Sequence, residues 1–236
     1  MRKFLFLPLL ALLASCGKNE DCDIVTPQPE DLVSPALYAT LSQSSTDPYN
    51  GPLEVLPCET NGSFYIGNYT AKGKQVPFPA YYLITNGIGK SQKYPLRLPV
   101  GTYNVIYWGY PDYFGTAGDA YLADPTLIIG KKLNTTSLGL RKIPGDTVYY
   151  PIHSLVYGTQ NINIGKDDLQ AHLKHASAAL SVIVSETNGD AFSDAIDSMW
   201  IYISNIYSNL NYFSARPEGT FKTTVSYTHL RAHETE

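Results

Sequence analysis

Side chains able to do chemistry are thinly scattered along this 236-residue chain, and their spacing argues against catalysis. His172 and His175 lie three apart. On a helix that spacing puts both on one face, where they could share a metal. The surrounding residues read as a strand, on which the two face opposite sides, and no acidic third ligand follows at a clear spacing. Asp167 and Asp168 stand side by side just before that strand and read as turn chemistry. Asp112, Asp119 and Asp124 crowd one loop, whereas glycoside hydrolysis needs two carboxylates facing each other across a cleft. Serine is plentiful, but there is no Gly-x-Ser-x-Gly elbow and no Gly-rich phosphate loop. Cys16, Cys22 and Cys58 are neither closely paired nor followed by spaced histidines, as a zinc site requires. The chain therefore reads as a non-enzyme with no catalytic residue, no metal site and no cofactor.

Cys16 carries chemistry of another kind. Met1-Arg2-Lys3 is a charged head, Phe4 to Leu13 an apolar run, and Leu13-Ala14-Ser15-Cys16 a small-residue exit. This is the layout of a secretion signal. The run of about ten residues is too short to cross a bilayer of about 30 Å. Leu-Ala-Ser-Cys resembles a bacterial lipobox, whose Cys takes a thioether-linked diacylglycerol and becomes the first mature residue. The expectation is a signal peptide over 1–15 and lipid attachment at Cys16, which holds the body at the outer membrane without a spanning helix. Several acyl chains at about 0.8 kcal/mol per methylene anchor far better than one. Gly17 to Asp21 is a short acid-rich tag. It is similar to the surface-export signal of Bacteroidetes lipoproteins, and it also fits a plain solvated tether. The tether runs over 16–35, stiffened by Pro27, Pro29 and Pro35. Cys22 and Cys58 are an even pair in an exported chain, which suits a disulfide. Two free thiols fit as well, because spacing does not give their separation.

Loss of Arg2 and Lys3 with the signal takes the formal net charge from −4 to about −6. This acidity excludes the basic stripe that nucleic acid demands. Charged residues are only 16%, and Tyr reaches 19. Tyr and β-branched residues among frequent Gly and Pro favour strands and turns. About 220 mature residues fit one large β domain or two of about 100, and either buries an adequate core.

Alternation predicts strands at Leu37–Ser42, Ser63–Ile66 and Tyr81–Thr85, the last two beside the turn pairs Asn61-Gly62 and Asn86-Gly87. In Thr102–Trp108, Tyr103, Val105 and Tyr107 share one face, and Thr102, Asn104, Ile106 and Trp108 share the other. Bulk on both faces predicts a central strand. Further strands are expected at Leu127–Ile129, Ser137–Leu140, Thr147–Tyr150 and Ile152–Tyr157. A spacing of about ten residues suits a β-sandwich. From Asn161 the texture repeats. Leu169 to Ser177 is read as a strand with its odd-numbered residues on one face, Ala179–Val184 as a buried strand, and Met199–Ser204 as another. The aromatic loop holding Trp108, Tyr110, Tyr113 and Phe114 offers either a binding surface for a glycan or host ligand or ordinary core packing.

Pro99-Val-Gly-Thr-Tyr-Asn-Val-Ile-Tyr-Trp-Gly109 resembles a strand of the fimbrillin-like surface lipoproteins of Bacteroidales. Ile162–Gly165 with Leu169–Val184 is similar to the segment opening the second domain of those proteins, and Trp200 to Asn205, running to Phe213, resembles the strand and turn that follow. The resemblance, closest to the fimbrial anchor or tip group, implies an all-β fold of two transthyretin-like β-sandwich domains in tandem. They would cover 36–158 and 159–224, the second truncated. It also implies fimbrial subunits as partners, joined by strand addition. The segment 225–236 resembles translated sequencing-adaptor read-through and is set aside as a non-native tail.

Overall fold

The computed structural model describes residues 27–42, 47–62, 64–92, 94–111, 122–123, 125–152, 154–178, 180–184 and 198–229. The fold is all-β; among these residues only two three-residue 3-10 turns, Pro29–Asp31 and Leu133–Thr135, are helical. Seven strands close a barrel: β2 (Leu37–Leu41), β3 (Gly51–Cys58), β6 (Ala80–Thr85), β7 (Ile88–Ser91), β9 (Gly101–Gly109), β12 (Val156–Ile164) and β13 (Leu169–His175), in the order β12-β13-β2-β7-β6-β3-β9. Every neighbouring pair is antiparallel except β13 with β2, which run parallel and close the ring. Two small ladders flank it: β1 (Leu32–Val33) with β8 (Leu98–Pro99), and β4 (Asn68–Tyr69) with β5 (Gln75–Val76). A second sheet, ordered β10-β11-β14-β15, consists of β10 (Leu122–Ala123), β11 (Ser137–Leu140), β14 (Ser198–Asn211) and β15 (Pro217–His229).

Side-chain alternation builds two cores on the two faces of β3 and β9. Val105 and Tyr107 point into the barrel with Leu53, Val55, Ile84, Val156, Ile164, Leu169 and Leu173. Ile106 and Trp108 point outward with Leu56 and Cys58, against Leu138 of β11 and Leu210 of β14. The second sheet thus covers the outer face of β3 and β9, and the expectation of a strand buried on both sides holds for Gly101–Gly109. Each fully buried aliphatic side chain contributes about 1.5–3 kcal/mol of transfer free energy. Asn86 and Gly87 have φ of 51° and 75°, the two positive values that a type I′ hairpin between β6 and β7 needs.

Several expectations are corrected. The boundary at 158/159 falls inside β12, which pairs without a break against β9. The polar texture from Asn161 is the outer face of a barrel strand, and β13 belongs to the same barrel. The segment 180–184 is not a buried strand: Leu180 is 67% and Ile183 90% exposed. Residues 127–129 form no strand, and 147–150 contributes only bridges at Tyr149. β15 continues past Thr224 to His229, in register with β14 and with Val225 buried. The alternation of Val225 and Tyr227 with polar residues suits strand pairing.

Candidate functional site

The residues with chemical potential hold the structure together. The Asp167 carboxylate accepts from the Asn163 backbone N–H at 3.1 Å, and that of Asp168 accepts from the Ala36 N–H at 3.1 Å. The first closes the turn between β12 and β13, as the sequence implied, and the second ties that turn to the residue before β2. His172 meets Thr40 Oγ1 through Nδ1 at 3.0 Å across the β13–β2 pair, and His175 ends the strand. Among the described residues no group of three His, Cys, Asp or Glu could hold a metal. Asp112 and Asp119 lie outside the described residues, as does Asp124.

Cys58 is a free, fully buried cysteine whose thiol donates to the Asn104 carbonyl at 3.2 Å. Burial, then the nearby Glu59 charge, pushes its pKa up to about 12. A thiol so placed is a poor nucleophile. Cys16 and Cys22 lie outside the described residues.

Trp108 is not a surface aromatic. It is wholly buried, stacks on Tyr212 at 5.7 Å, tilts against Tyr157 at 5.0 Å, and donates its indole N–H to the Tyr212 carbonyl at 2.9 Å. The outward face of β9 is covered by the second sheet, and Trp108 fills that interface. Tyr110 is half-buried and packs on the same core, while Tyr113 and Phe114 lie outside the described residues.

The exposed aromatic surface lies elsewhere, on the β14–β15 hairpin. Trp200 (56% exposed), Tyr202 (61%), Tyr207 (44%) and Phe221 (59%) share one face. The register opposes Tyr207 to Phe221, whose rings lie 4.8 Å apart, and Tyr202 to Val225. A bulge between Ile203 and Ile206, with Asn205 at φ 63°, keeps Tyr207 on the face of Trp200 and Tyr202. The alternation of Trp200 and Tyr202 was visible in the sequence. That Tyr207 joins their face was not, because the bulge shifts the parity of everything beyond it.

β14 also carries a bare edge. β15 pairs along it to Leu210, but on the other side β11 reaches only Asn209–Asn211. Among the described residues no strand pairs with that side of residues 201–208. The apolar stretch 180–184 is exposed and belongs to no strand. An unpaired edge offers a row of backbone donors and acceptors to another strand. No helix of the described residues is long and apolar enough to cross a membrane.

The family model of the fimbrillin-A associated anchor proteins Mfa1 and Mfa2 matches residues 26–234. Among solved structures the chain is similar to a candidate polysaccharide-binding protein from Bacteroides thetaiotaomicron, with 13% identity, a TM-score of 0.46, and coverage of 82% of this chain and 71% of that one. It is similar to a candidate adhesin from Bacteroides ovatus at 13% identity and a TM-score of 0.47, covering 81% and 62%. It is also similar to the fimbrial anchor protein Mfa2 from Porphyromonas gingivalis at 12% identity and a TM-score of 0.42, covering 83% and 78%. No curated protein sequence matches.

Proposed function

The chain belongs to the family of fimbrillin-A associated anchor proteins, and on that footing we propose that it is an accessory subunit of a fimbria, held at the cell surface by lipid on Cys16 and joined to shaft subunits by strand addition. The observation that supports the joining step is the edge of β14 over residues 201–208, which no strand among the described residues pairs. An incoming strand there would gain backbone hydrogen bonds for affinity, and the alternating side chains of β14 would set its register. The aromatic face of the hairpin lies beside that edge, where large rigid side chains anchor partners well.

The test is co-purification of the full-length protein from the cells that make it, with fimbrial shaft subunits as the expected companions. Tyr202→Lys puts a charge on the exposed hairpin without touching the core, and charge on an edge strand opposes pairing; it should release those subunits. A clean preparation with none bound, or full retention in the variant, would count against strand addition at this edge. Mass spectrometry of the mature N-terminus should find diacylglycerol on Cys16.

A further inference from the structure

An open depression of about 400 Å³ lies where the outer face of the barrel meets the turn joining β14 to β15. Asn104 lines it and is 9% exposed. Thr159 Oγ1 donates to Asn104 Oδ1 at 3.1 Å. Asn104 Nδ2 is left without an acceptor among the described residues. Asn104 lines the open side of the depression, where an incoming acceptor can reach its amide.

The rest of the site is built around that donor. Phe213 and Tyr157 supply the aromatic surface. The turn carrying Phe213 is fixed from two sides. Asn211 Oδ1 accepts from the backbone N–H groups of Phe213 at 3.1 Å and Ser214 at 3.0 Å. The Tyr157 hydroxyl donates to the Phe213 carbonyl. Gly62, at φ +75°, makes room for the Phe213 ring, since a Cβ there would lie 2.3 Å from Phe213 Cζ. Such a wall is set before a ligand arrives, which lowers the ordering cost of binding. Arg216 and Asn161 stand exposed among the lining residues, and no carboxylate lines the depression.

We propose that this depression binds an acidic saccharide. Arg216 matches a sugar carboxylate with its planar fork. Asn104 Nδ2 and the Asn161 amide serve ring hydroxyls or the same carboxylate. Phe213 and Tyr157 receive the apolar face of the ring. The volume is at the small end for ligand pockets and suits one or two sugar rings. Only the two aromatic residues are apolar, so there is no dedicated pocket for a peptide side chain. The assignment does not depend on how the subunit joins a fimbria.

The experiment is titration of the full chain with oligosaccharides carrying glucuronic, galacturonic or sialic acid, each beside its neutral counterpart. Acidic probes should bind, with affinity falling as salt is raised. Arg216→Gln alters an exposed side chain, and Asn104→Asp keeps the oxygen that Thr159 uses while replacing the donor with an acceptor. Each should weaken binding at least tenfold. If Asn104→Asp fails to fold, as judged by circular dichroism, Arg216→Gln decides alone. The proposal is overturned if no acidic probe outbinds its neutral partner, or if Arg216→Gln binds like the parent. It is also overturned if a short peptide bearing only a C-terminal carboxylate binds as tightly as the sugars.

Discussion

Replacing Trp108 with alanine tests the architecture and the identity of the ligand-facing aromatics together. Removal of a buried tryptophan costs about 3–5 kcal/mol through lost transfer free energy and the cavity left behind. The Tyr212 carbonyl, which now accepts the indole N–H at 2.9 Å, would lose its partner in a buried setting, a further cost of about 1–3 kcal/mol. The sum, about 4–8 kcal/mol, is a large share of the 5–15 kcal/mol typical of a whole domain. Trp108→Ala should therefore be partly or wholly unfolded at room temperature, and Trp108→Phe should lose mainly the hydrogen-bond share. Trp200, at 56% exposed, should tolerate alanine within about 0.5 kcal/mol. Urea unfolding followed by far-UV circular dichroism reads all three, and unchanged slopes would show that only stability moved. The sequence has only two tryptophans, so the emission of each single variant reports the other directly: blue-shifted from Trp108, red-shifted from Trp200. If Trp108→Ala unfolded with the parent while Trp200→Ala lost several kcal/mol, the two side chains would have exchanged places, and the outer face of β9 would be open to ligands after all.

Alkali should destabilise the protein in a defined window. Unfolded Cys58 ionises near its ordinary 9.0, but the folded thiol keeps its proton to about 12, and burial likewise holds the Tyr157 hydroxyl to about 12. Both folded values are raised, so their contribution is complete below about pH 9 and is lost as pH climbs from 9 to 12. Urea midpoints at pH 8, 10 and 11 should fall in that order, Cys58→Ala should remove the part beginning near 9, and a rise with pH would refute the assignment. Cys58 should also stay silent to a thiol reagent in the native protein and react once unfolded; silence in denaturant as well would instead point to a bridge with Cys22. The Tyr65 hydroxyl is buried with no partner among the described residues, so Tyr65→Phe should leave stability unchanged or raise it by up to about 1 kcal/mol. Tyr82→Phe, which takes the acceptor from the Leu96 N–H at 3.0 Å, should lower it by about 1 kcal/mol, and the thermal midpoints of the pair give the comparison.

What was legible in the sequence is what short-range pattern controls. Thr102–Trp108 announced a strand with bulk on both faces, Asn86-Gly87 announced a turn, and the odd-numbered residues of Leu169–Ser177 announced one face of a strand, of which Leu169, Ala171 and Leu173 are the inward face of β13. The family resemblance, resting on loose motifs between Pro99 and Phe213, agrees with a family match over 26–234. What pattern left open or misread concerns partners distant in sequence. For Trp108 both a binding surface and core packing fitted the sequence, and Tyr212, 104 residues onward, is what buries it. Leu180–Val184 has the composition of a core strand, but composition does not supply a neighbour. The change of texture at Asn161 looked like a domain boundary because the outer face of a closed barrel is polar. Nor could pattern alone find the acceptor-less amide of Asn104: it depends on Thr159 from the neighbouring strand claiming the oxygen.

The parallel ladder between β2 and β13 sets a schedule for the chain. It joins positions 132 residues apart, as in the contact between Thr40 and His172, so the ring stays open until synthesis has passed β13. At about 5–20 residues per second, that is a wait of roughly 7 to 26 s after the first barrel strand emerges. Pairings so remote in sequence also form slowly once both strands exist. Throughout that interval one flank of Leu37–Leu41 is available to any other extended backbone. The earliest barrel strand to be synthesised is thus the last to be locked, and it is the point at which a helper that delays folding, or a rogue strand that pre-empts it, acts with greatest effect.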